Sequence, residues 1–292
     1  MRYGAPYKGS KNKVAEWVVS NLPAADVLVD VFAGGGAISH CALLSGKWGR
    51  VVSNDIGSRA FERAVRGDLP DPFPVPTRDE FAECGDEAVR LLYSFGNDRR
   101  TYLWGRDIEP VKVEASRMLS APTLHDRRMH YKRFVRALRA YLCDGNGMSV
   151  SHKLVGSDGN HGLQGLQGLE GLERLEGLQG LEGLELAFSH ADYRDLDVPE
   201  GATVYADPPY RGTRTNQYAA AGDFDFAAFD AWLAYVPFLV VVSEYTCPDG
   251  CVEVARKERR SMCEANSNSA VKAERLFVQE RFLPEYRRRM AA

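Results

Sequence analysis

Short apolar runs alternate along the chain with amphipathic stretches of helical period. Stretches with apolar positions three and four apart, such as residues 13–22 and 225–235, predict helices. Two strands between residues 251 and 282 are expected to pair in antiparallel fashion, and the arginines at 287–289 are expected to fray. Strands alternating with helices indicate an α/β fold on an open sheet. The runs of strand character are residues 27–32, 50–53, 186–188, 204–206 and 238–243.

The middle of the chain departs from this pattern. Residues 58–161 lack strand-like alternation and are predicted to be mostly helical. Residues 162–185 are Gly-Leu-Gln/Glu triplets, in which the leucines recur every third residue and therefore drift around a helix instead of forming a stripe. We predict a catalytic domain formed by residues 1–57 and 186–292, a helical insert over 58–161, and a low-complexity insertion without catalytic role over 162–185.

The first predicted strand runs into a glycine-rich turn that includes Gly34 and Gly36. A strand, a glycine turn and a helix let a ligand approach bare backbone. The second strand ends at Asp55, about 20 residues later, where an acid can bind ribose hydroxyls. Ser39 stands where a dinucleotide fingerprint would have its third glycine. The pattern therefore favours an adenosine cofactor without pyrophosphate, such as S-adenosylmethionine.

The strand at residues 204–206 ends at Asp207-Pro208-Pro209-Tyr210. Proline has no N–H for a strand ladder, so a stiff loop must begin here, at the sheet edge where α/β proteins bind ligands. The Asp207 carboxylate and the Pro208 carbonyl can both accept hydrogen bonds from an amine. Tyr210 offers a ring on which a nucleobase can stack, a contact of about 1–3 kcal/mol. The same residues also suit a helix cap followed by a turn.

Composition narrows the class of protein. The chain has 292 residues, of which 45% are hydrophobic and 26% charged, as in soluble globular proteins. A net charge of −3 argues against non-specific nucleic-acid binding, so any such contact needs a local basic patch. Six cysteines without a Cys-x-x-Cys pair argue for a reducing compartment and against a metal site. Without a long apolar run or signal-peptide core, we expect a cytoplasmic protein with no membrane contact.

Four segments carry a resemblance to a known family. In chain order they are Tyr7 with Gly9-Ser10-Lys11, Phe32-Ala33-Gly34-Gly35-Gly36, Asn54-Asp55-Ile56 and Asp207-Pro208-Pro209-Tyr210. Together they resemble the motifs of Dam-type DNA adenine methyltransferases. Further segments, including Ser94-Phe95-Gly96-Asn97, Ser243-Glu244-Tyr245 and Glu274-Arg275-Leu276-Phe277-Val278, are similar to the phage and mobile-element branch of that family. The resemblance implies a Rossmann-like S-adenosylmethionine-dependent methyltransferase sheet with a mostly helical target-recognition insert.

The resemblance also implies a role for each segment. Asp207 and Pro208 would hold the target amine of an adenine flipped out of double-stranded DNA, and Tyr210 would stack on the base. Lys11 would bind the carboxylate of the cofactor and Asp55 its ribose. Tyr193 matches the position of an aromatic that lies against the cofactor adenine, although a core tyrosine is an equally simple interpretation. The implied S-adenosylmethionine site is Tyr7, Lys11, Phe32, Gly34, Gly36, Asp55, Tyr193 and Asp207.

A basic helix is predicted over residues 125–142. Its apolar stripe is Tyr131, Val135, Leu138 and Leu142. An adjacent face, offset only by Asp126, carries Arg128, Lys132, Arg136 and Arg139. A solvated helix face would explain this pattern. In the family, however, the insert reads the DNA, so the resemblance favours contact with DNA phosphates.

Other functions fit part of the sequence. Methylation of the exocyclic amine of cytosine uses the same chemistry, but that class more often has serine in place of Asp207. RNA is a weaker alternative substrate. A nicotinamide-dependent oxidoreductase would explain the glycine turn and Asp55, but it leaves Asp-Pro-Pro-Tyr unexplained. A catalytically dead DNA-binding module is a further alternative. The presence of Lys11, Asp55 and Asp207 argues against it, because such a module would not need these residues.

Overall fold

The computed structural model describes residues 3–69, 74–143, 184–211, 224–259 and 272–291, together with Leu178 and Leu181. Most of the Gly-Leu-Gln/Glu tract lies outside these residues, so its predicted role is not tested. The chain divides into two compact units. The first comprises Met1–Ala5, Gly9–Glu62 and Gly180–Ala292, and the second Pro6–Lys8 and Arg63–Gln179.

The first unit is built on one mixed sheet. Its described strands are β1 Val27–Asp30, β2 Arg50–Asn54, β3 Leu186–Ser189, β4 Thr203–Ala206, β5 Val240–Ser243, β6 Cys251–Arg259 and β7 Lys272–Gln279. They lie in the order β3-β2-β1-β4-β5-β7-β6. Strands β1 to β5 are parallel, whereas β7 runs antiparallel to both β5 and β6. This confirms the predicted α/β class and the antiparallel closing pair, and it is consistent with a Rossmann-like methyltransferase fold.

The central strands are buried on both faces because successive side chains point to opposite sides of the sheet. In β4, Tyr205 belongs to one core cluster and Val204 to the other. The first cluster packs beneath helices α1 Ala15–Ser20 and α2 Ala37–Ser45, and the second packs beneath a later helix, Phe226–Tyr235. Helices therefore cover both faces, as the near-continuous apolar strands require.

Strand order places the ligand-binding edge. The chain builds outward from β1 to β2 and β3, and then returns to the other side of β1 with β4. At such a switch in direction a crevice opens at the carboxyl ends of the parallel strands. Asp30, the last residue of β1, lies in register with Ser53 of β2 and Tyr205 of β4. The residues that follow β2 and β4 therefore emerge beside the end of β1.

The second unit is rich in helices. Of its described elements, α3 Ala60–Val65 begins in the first unit, and the others are α4 Arg78–Glu83, α5 Glu87–Leu92, α6 Glu109–Ser120 and α7 Leu124–Cys143. Helices α6 and α7 are joined by His130, whose Nδ1 lies 2.7 Å from Oε2 of Glu114. Within the described residues no side chain of α7 is fully buried: Val135, Leu138 and Leu142 are partly buried, and Tyr131 is 55% exposed. Three of the four residues of the predicted apolar stripe are thus partly covered.

Two predictions about the chain's last third have different outcomes. Asp225 caps the next helix, α8 Phe226–Tyr235, by accepting a 2.9 Å hydrogen bond from the Ala228 N–H, as predicted. The expected fraying of the last arginines is wrong, because they lie on α9 Leu283–Ala291. There Arg289 donates a 2.8 Å hydrogen bond to the Thr203 hydroxyl, a contact that local sequence does not indicate.

None of the described helices is long and apolar enough to cross a membrane. Within the same residues, no group of three or more His, Cys, Asp or Glu side chains is placed to hold a metal ion.

Candidate active site

Three acids meet at the carboxyl edge of adjacent strands β2, β1 and β4. Asp55 directly follows β2, Asp30 ends β1 and Asp207 directly follows β4. Sequence reasoning identified Asp55 and Asp207 but missed Asp30, which it treated only as part of an apolar run. The registered ends of the parallel strands bring all three to one edge.

The glycine turn between β1 and α2 is held close to the end of β2. The Ala33 N–H donates to the Asn54 carbonyl at 2.8 Å. Gly34 and Gly36 both have positive φ, 54° and 71°, which favours glycine at each position. A Cβ on Gly36 would lie 2.2 Å from the ring of Phe61. The turn therefore requires glycine for both its backbone conformation and its packing.

Asp55 closes the glycine turn. Its Oδ2 accepts a 2.8 Å hydrogen bond from the Gly34 N–H, and its Oδ1 accepts one of 2.9 Å from the Gly57 N–H. The predicted cofactor residues Gly34, Gly36 and Asp55 are thus brought together. A carboxylate oxygen can accept more than one hydrogen bond, so these contacts are compatible with a further donor such as a ribose hydroxyl.

Asn54 fastens three strand ends together, a role that sequence reasoning missed. Its Nδ2 donates to the carbonyls of Val31 and Ala191, at 2.9 and 3.1 Å. Its Oδ1 accepts from the Ala191 N–H at 3.0 Å. The only sequence signal was its place beside Asp55 in the Asn54-Asp55-Ile56 motif.

The carboxyl group of Asp30 is buried and only partly paired. Its Oδ2 accepts hydrogen bonds from the Ser39 hydroxyl and N–H, at 2.7 and 3.2 Å. Its Oδ1 has no hydrogen-bond partner among the described residues. Burial raises the pKa of Asp30 to about 7. The hydrogen bonds from Ser39 lower this pKa, whereas the nearby carboxylates of Asp207 and Asp55 raise it. Oδ1 of Asp30 is therefore a buried acceptor without a partner among the described residues, and it lies beside the glycine turn. Both features fit a nucleoside cofactor that carries a positive charge.

Lys11 is paired with Asp207. Its Nζ donates a 2.7 Å hydrogen bond to Oδ1 of Asp207 and lies 3.4 Å from Oε1 of Glu274. Burial by itself would lower the pKa of Lys11, but these two carboxylates outweigh it and the pKa is raised. Burial raises the pKa of Asp207 to about 6, although the Lys11 ammonium opposes the rise. The ammonium thus helps to keep a buried carboxylate ionised near neutral pH.

Tyr210 is held rigidly beneath this pair. It is 7% exposed, its hydroxyl donates to Glu274 Oε1, and it lies 2.8 Å from the Ser243 hydroxyl. The Lys11 ammonium lies 4.3 Å from the centre of its ring. Tyr245 packs against Tyr210 in a T-shaped arrangement, with ring centroids 4.3 Å apart. Burial, with Asp207 and Glu274 nearby, raises the pKa of Tyr210 well above its ordinary value, so the phenol stays protonated.

Glu274 organises this group from β7, and sequence reasoning gave it no role. It is 2% exposed, and besides Lys11 and Tyr210 it accepts a 2.8 Å hydrogen bond from the Ser243 hydroxyl. Burial opposes ionisation of Glu274, but Lys11 and these hydroxyl donors prevail and lower its pKa. Its presence in a segment similar to the phage branch was the available signal.

The remaining predicted site residues fall into three groups. Tyr7 belongs to the second unit, where the Arg99 guanidinium lies 5.2 Å over its ring. Phe32 and Tyr193 meet with ring centroids 5.5 Å apart, in a cluster with Phe229 of α8 that suits a core tyrosine as well as a cofactor contact. The α7 residues Arg128, Lys132, Arg136 and Arg139 are all exposed. The roles of these groups in cofactor and DNA binding stay predictions.

Comparison with known proteins bears on the first part of this site. Residues 7–62 match a family described as D12 class N6 adenine-specific DNA methyltransferase. The matched range includes Lys11, the glycine turn and Asp55. No curated protein matches the chain significantly. Over residues 7–62 the chain is similar to adenine-specific DNA methyltransferases of the D12 class, which confirms the resemblance predicted from its motifs.

Proposed function

We propose that the protein transfers a methyl group from S-adenosylmethionine to the exocyclic 6-amino group of an adenine flipped out of duplex DNA. The observation that carries the proposal is the Lys11–Asp207 pair at the end of β4, on the same sheet edge as the glycine turn and Asp55. The match of residues 7–62 to adenine-specific methyltransferases supports adenine over cytosine as the target.

The glycine turn and the acids around it would form the cofactor site. When bound, S-adenosylmethionine supplies an electrophilic methyl group on a positively charged sulfonium centre. Gly34 and Gly36 would let the backbone approach closely, and Asp55 would accept hydrogen bonds from the ribose hydroxyls. The carboxyl groups of Asp30 and Asp207 would favour a cation at this edge. Phe32 and Tyr193 would border the adenine of the cofactor.

Lys11 would serve both the cofactor and Asp207. An ammonium group has three N–H donors, of which one is donated to Asp207 and another faces Glu274. The third is available for the carboxylate of the cofactor. Through these contacts Lys11 would link the cofactor end of the site to the target loop.

Asp207 would position and activate the target amine. The lone pair of an adenine amine is delocalised into the ring, which makes it a poor nucleophile. The second carboxylate oxygen of Asp207 and the Pro208 carbonyl would accept the two amine N–H groups and direct the lone pair at the methyl group. As the new bond forms, positive charge develops on the amine nitrogen, and the Asp207 carboxylate would stabilise it.

The base must leave the helical stack to reach this loop, because its amine is inaccessible within a duplex. Tyr210, which is 7% exposed, would provide the stacking surface once the contacts of Lys11 and Tyr245 with its ring give way to the base. Its hydroxyl is anchored by Glu274 and Ser243, so the side chain itself would need little further ordering.

The basic face of α7 would bind DNA phosphates. Arg128, Lys132, Arg136 and Arg139 follow one another at intervals of three and four residues, which places them on one side of the helix. All four are exposed and form no ion pair with the described residues. Such contacts fix orientation on the duplex without reading its sequence.

The proposal is tested by mixing the purified protein with methyl-labelled S-adenosylmethionine and unmethylated duplex DNA. The wild type should transfer label to DNA. Asp207→Ala should transfer at least about 100-fold less at saturating cofactor, because it loses transition-state stabilisation. Asp249→Ala, which removes an exposed turn carboxylate, is the matched control and should retain activity. Full transfer by Asp207→Ala would contradict the mechanism.

A further inference from the structure

His190 bridges two elements beside the proposed cofactor site. It directly follows β3, and its Nδ1 lies 2.9 Å from the main-chain oxygen of Asp55. Its Nε2 lies 2.6 Å from Oε2 of Glu62 on α3. The imidazole thus joins the end of β2, the end of β3 and the start of a helix.

Both partners of His190 are acceptors, and they hold the ring from two sides. A main-chain oxygen can only accept, so Nδ1 is the atom that donates to Asp55. The 2.6 Å contact between Nε2 and Oε2 of Glu62 holds the opposite side of the ring.

The consequence for Asp55 is that its main chain is held on both sides. Its N–H donates to the Ser189 carbonyl at 3.2 Å, and its own carbonyl accepts from His190. Its side chain is held separately by the N–H groups of Gly34 and Gly57. Rotation of the Asp55 peptide, which would carry the carboxylate away from the glycine turn, must break the His190 hydrogen bond.

We propose that His190, with Glu62 as its partner, is a positioning residue that presents the Asp55 carboxylate to the cofactor. The proposal rests on the proposed function for the identity of the ligand that Asp55 binds. His190 itself touches neither cofactor nor DNA in this scheme. It lowers the free-energy cost of ordering Asp55 on binding, so its loss should weaken cofactor affinity and leave the rate at saturating cofactor nearly unchanged.

Three substitutions separate positioning from general stability. His190→Ala removes both contacts. His190→Asn keeps an amide N–H near the place of Nδ1, within reach of the Asp55 carbonyl. His190→Gln instead places its amide near Nε2, towards Glu62. His130→Ala is the matched control, since it also removes a His–Glu contact of 2.7 Å but belongs to the second unit.

The measurement is the dissociation constant of S-adenosylmethionine by calorimetry, with KM and kcat for methyl transfer and a melting curve for each variant. We expect His190→Ala to raise the dissociation constant and the cofactor KM about tenfold, with kcat within about twofold of the wild type. His190→Asn should recover most of the affinity, whereas His190→Gln and His190→Ala should be similar. His130→Ala should bind like the wild type.

The outcomes that overturn the proposal are distinct from failure of the proposed function. Provided that the wild type binds the cofactor and transfers methyl groups, two results would overturn the positioning role. One is unchanged cofactor affinity in His190→Ala. The other is an equal loss of affinity in His190→Asn and His190→Gln that parallels the decrease in their melting temperatures. A wild-type protein that neither binds S-adenosylmethionine nor methylates DNA would overturn the proposed function, and the role of His190 with it.

Discussion

The Lys11 ammonium donates a 2.7 Å hydrogen bond to the Asp207 carboxylate, although the two residues are 196 positions apart in the chain. Burial disfavours both charges, so Asp207 depends on Lys11 to stay ionised, and Lys11 depends on Asp207 and Glu274. One residue comes from the range that matches adenine methyltransferases and the other from the Asp-Pro-Pro-Tyr loop. Their contact links the predicted cofactor segment to the predicted target loop.

Replacing Lys11 by methionine should move the acid limb of the pH–rate profile. In the proposed reaction the ionised Asp207 carboxylate accepts the amine hydrogen bond, and the pKa of Asp207 is about 6. The wild-type rate should therefore fall as pH decreases through about 6. Lys11→Met removes the ammonium that opposes protonation of Asp207, so the fall should begin at higher pH. Lys13→Met, on the same short 3-10 helix but exposed, should leave the limb in place. A limb unmoved by Lys11→Met would show that Asp207 does not control it.

Gly36→Ala should destabilise the protein more than Gly46→Ala. Both glycines flank α2 with positive φ, 71° and 64°, so either alanine has a backbone cost of about 1–2 kcal/mol. A Cβ at Gly36 would also lie 2.2 Å from the Phe61 ring, whereas one at Gly46 would meet nothing within 4 Å. Overpacking should add about 1–3 kcal/mol to the loss for Gly36→Ala. Denaturant unfolding measures both, and equal losses would mean that Phe61 moves aside without cost.

Asp30→Asn should make stability less dependent on pH. Burial raises the pKa of Asp30 from 3.8 to about 7, so between these values the folded state holds a proton that the unfolded chain has lost. The free energy of unfolding should therefore decrease as pH rises through this range, by up to about 4 kcal/mol from this group. Asparagine does not titrate, so the variant should show a flatter curve between pH 4 and 7. Parallel curves would exclude Asp30 as the source.

Alanine at Arg128, Lys132, Arg136 and Arg139 together should weaken DNA binding in a salt-dependent way. Each phosphate contact contributes about 0.9 to the slope of log affinity against log salt, so losing up to four should reduce that slope by about 3 to 4. Fluorescence anisotropy at several salt concentrations measures it. The matched control removes two exposed arginines of α9, Arg287 and Arg288, and should keep the wild-type slope. An equal reduction in both proteins would indicate a general charge effect.

Local signals were enough to predict the sheet and the glycine turn. The apolar run before Asp207 is buried throughout as β4, and the prolines that follow it stop the strand as expected. Gly34, Gly36 and Asp55 could be placed because one strand–turn–helix unit contains the turn and the next strand ends at the acid. These features are determined by residues that are close together in the sequence, and hydrophobic periodicity is enough to predict the strands and helices there.

Residues that act through distant partners could not be predicted in this way. Asn54 and His190 matter because β3 returns beside β2, and their contacts span 137 and 135 positions. Glu274 matters because β7 pairs with β5, which places it against Tyr210. The exposure of Tyr131 has a related cause: an amphipathic pattern identifies an apolar face but not how much of it another element covers.

The most direct test is to identify the modified base. Duplex DNA treated with the protein and S-adenosylmethionine is digested to nucleosides, which are separated by chromatography and identified by mass spectrometry. Asp207 and Pro208 acting on a flipped adenine predict N6-methyladenine, absent from DNA treated with Asp207→Ala. Methyl groups found only on cytosine, or on RNA but not on duplex DNA, would contradict the proposed reaction.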